Sequence, residues 1–198
     1  MNIEAIPLRR LALAVGLLVL TCSISSAALC GHNLWVAEVQ DGIESYTSAD
    51  LKKSGSPTPI HLDSSDHAVG IAFDKSHNLW ATISGDEVVE FTAAQLKDLK
   101  NNPNPTPAVI ITASASFQDA NGCNFDSQGN LWLADSDNGS IDELSKAQLD
   151  AGSADLTPAI VITNSNFDPR FVTFDKAGNI WTDNQNGNSI AEFSTSQL

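Results

Sequence analysis

Histidine and aspartate side chains are concentrated in one short segment of the sequence, at His61, Asp63, Asp66 and His67. Imidazole and carboxylate groups are common zinc ligands. The spacing of these four residues matches no established zinc motif. We therefore interpret the segment as a solvated loop, with a ligand-binding site as the alternative.

A second acidic segment, residues 135–139, has the sequence Asp-Ser-Asp-Asn-Gly, with oxygen-bearing side chains spaced as in calcium loops. Its glycine comes one position early, and the distant acidic ligand of such loops is not matched. A hairpin turn accounts for the same residues. Asp135, Asp137 and Asp183 are the candidate ligands for calcium or another divalent cation.

Asp119, Asn121, Asp168 and Arg170 complete the set of candidate ligand-binding residues. Asp168 and Arg170 flank a proline at the entry to a predicted strand, where the guanidinium group of Arg170 is placed to bind an anionic ligand. An ion pair between Arg170 and a neighbouring loop is the alternative. The sequence contains no local nucleophile–base motif, Gly-rich phosphate-binding loop or nucleotide fingerprint, so no catalytic residue is assigned.

The charge of the chain excludes one class of partner. It has 24 acidic and 10 basic residues and a formal net charge of -14. Nucleic-acid binding depends on clustered basic side chains, which this sequence lacks. An acidic surface is typical of a soluble exported protein and, less often, of one that binds divalent cations.

The strongest signal is an internal repeat marked by the four tryptophans, which are spaced 45, 52 and 49 residues apart. Each tryptophan ends an Asn-(Leu/Ile)-Trp triplet, and in the last three units a Phe-Asp pair begins seven residues earlier. A period of 40–50 residues with several short strands is typical of β-propeller blades. The tryptophans are Trp35, Trp80, Trp132 and Trp181, and the pairs are Phe73-Asp74, Phe125-Asp126 and Phe174-Asp175.

The last unit shows how one blade is predicted to form. An apolar run at 159–162 after Pro158 predicts a strand buried on both faces, expected to be the innermost strand of the blade. Residues 171–174 predict a second strand, which a turn joins to a third beginning at Ile180, and residues 189–193 predict the fourth. A Ser/Thr-x-x-Gln-Leu linker predicts a capped helical turn between blades. The tryptophans are expected to pack one blade against the next, with a ligand-stacking role as the alternative.

The segment at residues 70–81, Gly-Ile-Ala-Phe-Asp-Lys-Ser-His-Asn-Leu-Trp-Ala, and its echoes at 122–134 and 171–182 resemble the NHL-type repeats of bacterial exported propellers. These propellers are related to the streptogramin lyase and SMP-30/gluconolactonase-like propellers. The resemblance implies an all-β fold of four-stranded blades of about 50 residues, with about three and a half blades present. It is weak for function, since lyases, lactonases and binding scaffolds share these motifs, and no catalytic residue carries over.

The strand order predicts two faces with different loops. The turn and linker segments that are similar from blade to blade fall on one face, whereas the variable acidic loops fall on the other. Variable loops on a rigid scaffold are the expected place for a ligand. Besides the candidate residues above, the acidic loops include Asp86 and Glu87.

The first residues predict export. Arg9 and Arg10 precede an apolar run at 11–20 and small residues at 25–28, which is the pattern of a signal peptide. The predicted organisation is a signal peptide at 1–27, a half blade at 28–51 and full blades at 52–96, 97–149 and 150–198. The mature protein is expected to be secreted, without a membrane span.

Three and a half blades do not close a ring. Two explanations remain open: a truncated propeller, or a homodimer in which two chains complete one ring. Cys30 and Cys123 survive the predicted cleavage, but they lie two repeats apart, beyond the reach of a disulfide.

The expected function is that of an exported scaffold that binds a small molecule or an extracellular protein or polysaccharide. The alternative is a metal-dependent lyase or lactonase with a divalent cation near the ring axis. A structural module of the cell surface, without a pocket or an ion, is a third possibility.

Overall fold

Four antiparallel sheets follow one another along the chain. The computed structural model describes residues 24–30, 33–39, 42–52, 54–62, 67–84, 86–112 and 118–198, with the backbone alone for 24–30. The first sheet has the order β1 (Ile24–Cys30), β2 (Asn33–Glu38), β3 (Gly42–Tyr46) and β4 (Ile60–Leu62). The second has β5 (Ala68–Phe73), β6 (Leu79–Ile83), β7 (Glu87–Phe91) and β8 (Val109–Thr112), with a short parallel strand, β12 (Ala154–Asp155), beside β8.

The third sheet contains β9 (Ala120–Phe125), β10 (Leu131–Asp135), β11 (Ser140–Leu144) and β13 (Ile160–Thr163). The fourth contains β14 (Val172–Phe174), β15 (Ile180–Asn184) and β16 (Ser189–Phe193). Strand β5 packs against β1 and β9, and β9 packs against β14. These first strands of successive sheets therefore lie side by side at the inner edge of the array, as in a propeller.

The strand after each Thr-Pro step is the outer strand of the preceding sheet. The expectation that it is innermost was wrong, because β13 pairs with β11 of the third sheet and β8 pairs with β7 of the second. Val161 in the middle of β13 is 52% exposed, so this strand is not buried on both faces. An apolar run alone does not distinguish an inner from an outer strand.

The first unit has more than the predicted half blade. Backbone pairing of β1 with β2 runs from Ile24 opposite Glu38 to Cys30 opposite Asn33, so a strand stands where none was expected. This strand lacks the Phe-Asp pair, because Ala28 and Leu29 stand at those positions. Most of the predicted signal peptide, residues 1–23, lies outside the described residues.

The tryptophans pack between sheets, as expected. Trp35, Trp80 and Trp132 are at most 4% exposed, and each meets a phenylalanine of the next sheet edge-to-face. Ring centroids are 5.9, 6.2 and 6.3 Å apart, within the favoured range for aromatic pairs. The partners are Phe73, Phe125 and Phe174.

Two glycines allow close packing of sheets at their inner strands. A Cβ on Gly122 would lie 2.7 Å from the carbonyl oxygen of Arg170, and one on Gly70 would meet the Asn121 carbonyl oxygen. The backbone N–H of Gly122 donates to that Arg170 oxygen at 2.8 Å. Glycine is therefore required here for backbone contact between sheets.

The linkers and the turns between first and second strands share one face, called here the linker face. Helices α1 (Ala93–Lys97) and α2 (Lys146–Asp150) begin with complete capping boxes, as the Ser/Thr-x-x-Gln pattern predicted. A 3-10 turn at Asp50–Lys52 occupies the first linker. Asparagine side chains accept hydrogen bonds from linker N–H groups in the pairs Asn78–Ala93, Asn130–Lys146 and Asn179–Thr195.

Among the described residues, no helix is long and apolar enough to cross a membrane. Cys123 is a free, buried cysteine. Burial raises the pKa of its thiol to about 12.

Candidate functional site

The variable connections meet on the face opposite the linkers, called here the loop face. Its described residues are 67, 84, 86, 118–119, 136–139, 164–171 and 185–188. In each of the last three sheets, the hairpin after the second strand is hydrogen-bonded to the connection that enters the first strand. The backbone bonds are Ser84 N–His67 O at 2.9 Å, Ser136 N–Asp119 O at 3.3 Å and Gln185 N–Asp168 O at 2.9 Å.

The guanidinium group of Arg170 pairs with side chains of the protein itself. Its Nε donates to Gln185 Oε1 at 3.0 Å and lies 3.3 Å from Asp168 Oδ1. Its Nη1 lies 3.4 Å from Asp119 Oδ2 and 3.5 Å from Asn121 Oδ1 in the third sheet. The predicted alternative, an ion pair with a neighbouring loop, is the arrangement found, and it ties the third sheet to the fourth.

Asn121, Asp119 and Ser136 form a small polar network next to Arg170. Asn121 is 7% exposed, and its Nδ2 donates to the Asp119 carbonyl oxygen at 2.8 Å and to Ser136 Oγ at 2.9 Å. The Ser136 hydroxyl in turn donates to Asp119 Oδ2 at 2.7 Å. Ser136 and Gln185 were not among the candidates, because neither residue type is distinctive before the hairpins are brought together.

Two of the three candidate metal ligands, Asp135 and Asp183, accept hydrogen bonds from neighbouring loops. Asp135 is fully buried, and its oxygens accept hydrogen bonds from Asn138 N at 3.2 Å, Asn138 Nδ2 at 2.8 Å and Gln118 N at 3.2 Å. Asp183 Oδ1 accepts from the N–H groups of Arg170 and Phe171 at 3.0 and 2.8 Å. In the described part of the chain, Asp135, Asp137 and Asp183 do not form a metal-binding set, and no other three His, Cys, Asp or Glu residues do.

The histidine segment is split by the fold. His61 lies in the outer strand β4, with its Nδ1 3.6 Å from Glu44 Oε1 and its side chain 51% exposed. His67 is exposed on the loop face, where its carbonyl oxygen accepts the Ser84 bond. Asp63 and Asp66 lie outside the described residues.

Carboxylates of two sheets converge around Asp86. Burial raises the pKa of Asp86 most, and the charges of Asp135, Asp119 and Asp137 raise it further. Asp86 Oδ1 is buried and makes no hydrogen bond with a described residue. The sequence placed Asp86 on this face but did not select it as a ligand, because only the folded sheets bring it near the acids of the third sheet.

The loop face thus has a strongly negative patch, defined here as Asp86, Asp119, Asp135 and Asp137. It is held by backbone hydrogen bonds of the hairpins and bordered by the internally paired Arg170. Such a rigid arrangement is suited to attracting positive charge.

No family model and no curated protein matches this chain. Its fold is similar to the WD40 β-propeller domain of Doa1, with a TM-score of 0.63, 12% identity and coverage of 87% of this chain and 51% of that one. It is similar to a streptogramin B lyase, with a TM-score of 0.61, 18% identity and coverage of 86% and 51%. A catalytically inactive virginiamycin B lyase from Staphylococcus aureus, solved with quinupristin, gives a TM-score of 0.61, 16% identity and coverage of 87% and 53%. The chain therefore has a β-propeller fold and spans about half the length of these structures.

Proposed function

We propose that this protein is an exported, NHL-like propeller that acts as a binding scaffold and engages a basic segment of a partner protein through its loop face. The observation that carries the proposal is the convergence of Asp86, Asp119, Asp135 and Asp137, which is strong enough to raise the pKa of Asp86 beyond the effect of its burial. A lysine- or arginine-rich segment supplies positive charge beyond that of Arg170, which pairs with Asp119 alone among these four residues.

The remaining geometry supports recognition. The hairpins and incoming connections are joined by backbone hydrogen bonds, so little ordering is needed when a partner binds. The net charge of -14 adds a long-range attraction that accelerates encounter with a basic partner. Export rests on the sequence pattern of residues 1–27 alone.

The lyase or lactonase alternative needs convergent ligands for a divalent cation. In the part of the chain that the structure describes, no such ligand set is present. No arrangement of the described side chains favours the alternative over the scaffold.

The test is the affinity of the protein for a lysine-rich peptide, measured by isothermal titration calorimetry at several salt concentrations. The double variant Asp86→Asn/Asp137→Asn is expected to weaken binding roughly tenfold at low salt, since it removes two charges from the patch. The control Asp98→Asn/Asp155→Asn removes the same charge from exposed positions outside the loop face. Equal losses in both variants would show that the peptide responds to net charge alone and would refute the assigned surface.

A further inference from the structure

A cleft opens on the linker face between the third and fourth sheets, away from the loop face. Its volume is about 450 Å³, within the range of small-ligand sites. Polar and charged groups on its walls include Asp126, Asn130 and Glu143, and the apolar part of its wall includes Trp132, Ile160 and Phe174.

Glu143 is the unusual side chain of this cleft. It lies opposite Trp132 and Ile160 in the registers of β11 with β10 and β13, so all three share the face turned toward the fourth sheet. Glu143 is 7% exposed, and within the described residues its carboxylate makes no hydrogen bond or ion pair. Its carboxylate oxygens are not among the described atoms that are sealed from solvent, so they face the cleft and are free to accept hydrogen bonds from a ligand.

The neighbouring Asp126 is already satisfied. Its Oδ1 accepts three backbone N–H groups of the turn, those of residues 128, 129 and 130. Its Oδ2 accepts from Asn130 Nδ2 at 2.8 Å and from the Trp132 indole at 3.2 Å. Asp126 therefore contributes a fixed negative charge, while Glu143 retains its capacity to accept hydrogen bonds.

The corresponding glutamates of the second and fourth sheets, Glu90 and Glu192, each lie near an asparagine side chain. Glu192 Oε1 accepts from Asn179 Nδ2 at 3.0 Å. Glu90 lies in a similar cleft of about 580 Å³ between the second and third sheets, where burial, the largest cause, and the charge of Asp74 raise its pKa and the nearby Asn78 side chain opposes them. For Glu143 both burial and the charge of Asp126 raise the pKa, and no hydrogen bond opposes them.

The walls indicate what kind of group would bind Glu143. Lys176 lies on the rim, but it is exposed and makes no salt bridge with any described residue. Ile160 and Phe174 offer apolar surface for an aliphatic chain, with the carboxylate beside it. A cation on an aliphatic stem can bury its stem against such a wall while its head group pairs with a carboxylate.

We propose that the cleft binds an organic cation, an ammonium or guanidinium group on an aliphatic stem, with Glu143 as its counter-ion. The source of this group is either a free amine or a lysine or arginine side chain of a partner protein. The site is distinct from the loop face and does not depend on the function proposed for that face.

The experiment follows the four tryptophan indole signals by NMR during titration with butylammonium chloride, with the Trp132 signal assigned from a Trp132→Phe variant. Saturable shifts of that signal are expected with butylammonium, and none with the neutral analogue butanol. Glu143→Gln preserves the size of the side chain and is expected to weaken binding at least tenfold, since a charge-assisted hydrogen bond is worth about 1.5–3 kcal/mol. Glu192→Gln, at the corresponding position of the fourth sheet, is the matched control and should leave the affinity unchanged.

A short lysine peptide identifies the source of the cation: tighter binding than butylammonium indicates a partner protein, and weaker binding indicates a free amine. The proposal is overturned if the Trp132 signal does not shift, if butanol shifts it equally, or if Glu143→Gln keeps its affinity while remaining folded. Displacement of butylammonium by calcium chloride would also overturn it, because the site would then bind metal. Unchanged cleft binding in Asp86→Asn/Asp137→Asn is expected and separates this site from the loop face.

Discussion

Aspartates of this protein differ in ionisation because they differ in hydrogen bonding. The side-chain hydroxyl and backbone N–H of Thr47 lower the pKa of Asp50. Asp142 is fully buried in β11, and neither of its oxygens makes a hydrogen bond with a described residue. Burial, the largest cause, and the charge of Asp135 raise the pKa of Asp142 to about 7, with a partial opposing effect from nearby Ser140. Asp142 shares a sheet face with Leu133, which packs against the second sheet, so its charge would form between two sheets.

The substitution Asp142→Asn is expected to change how stability depends on pH. The folded protein holds the Asp142 proton more tightly than the unfolded chain, so the free energy of unfolding contains a contribution that is full below pH 4 and is lost as pH rises to about 7. Asparagine removes this loss, which we expect to be roughly 2–4 kcal/mol between pH 4 and pH 8. Urea unfolding of both proteins at pH 4, 6 and 8 measures the difference, and parallel pH profiles would contradict it.

At the scale of strands and helices, the close contacts between sheets depend on which residue occupies one position of each innermost strand. The innermost strands approach closely at Gly70 and Gly122, whereas the corresponding position of the fourth sheet is occupied by Phe171, which is 48% exposed. The Phe171 ring lies beside the glycine of the third sheet, since a Cβ on Gly122 would be 2.8 Å from Phe171 Cδ1. The equivalent position of the repeat is therefore occupied by glycine in the second and third sheets and by a large side chain in the fourth.

Gly122→Ala is expected to destabilise the protein by roughly 1–3 kcal/mol, the usual cost of overpacking a close contact. The added Cβ would lie 2.7 Å from Arg170 O and 2.9 Å from Phe171 Cα, both of which are backbone atoms. The measurement is the denaturant midpoint. Phe171→Ala is the control, because it measures the effect of losing the Phe171 side-chain contacts without adding a Cβ at position 122. An unchanged midpoint in Gly122→Ala would show that the two sheets can move apart at no cost in stability.

At the scale of the whole molecule, the outward face of the fourth sheet is exposed and partly apolar. Phe171 and Trp181 are 48% and 36% exposed, and Ile190 is 75% exposed. In the other sheets the tryptophan at the position of Trp181 is covered by the next blade. Exposed apolar surface next to an unpaired strand edge favours self-association.

Ile190→Lys is expected to reduce concentration-dependent self-association, with little change in the free energy of unfolding because the side chain is already exposed. Light scattering coupled to size-exclusion chromatography measures the effect. Val161→Lys adds the same charge at an exposed residue of the third sheet and is the matched control. If both variants reduce association equally, charge alone is responsible and the fourth sheet is not the contact surface.

The sequence by itself determined the repeat, the propeller fold, the inter-blade role of the tryptophans and the capped linkers. These features depend on local patterns: the Asn-(Leu/Ile)-Trp triplets, the Phe-Asp pairs and the Ser/Thr-x-x-Gln boxes each specify a short-range structure. The separation of variable and repeated loops onto opposite faces also followed from strand alternation. The signal peptide remains a sequence-based prediction.

Only the tertiary structure decided which strand is outermost. A short apolar run has the same sequence pattern in an inner and in an outer strand, and the repeat with which it pairs is fixed only in the folded protein. Tertiary structure also decided which polar groups are satisfied. Arg170 and Asp183 looked available in the sequence but are bound within the loop face, whereas Glu143 looked ordinary and has no hydrogen-bonding partner among the described residues. The hydrogen bonding and burial of these side chains depend on residues about 10 to 50 positions away in the sequence. Such residues come into contact only when the strands pair and the sheets pack together.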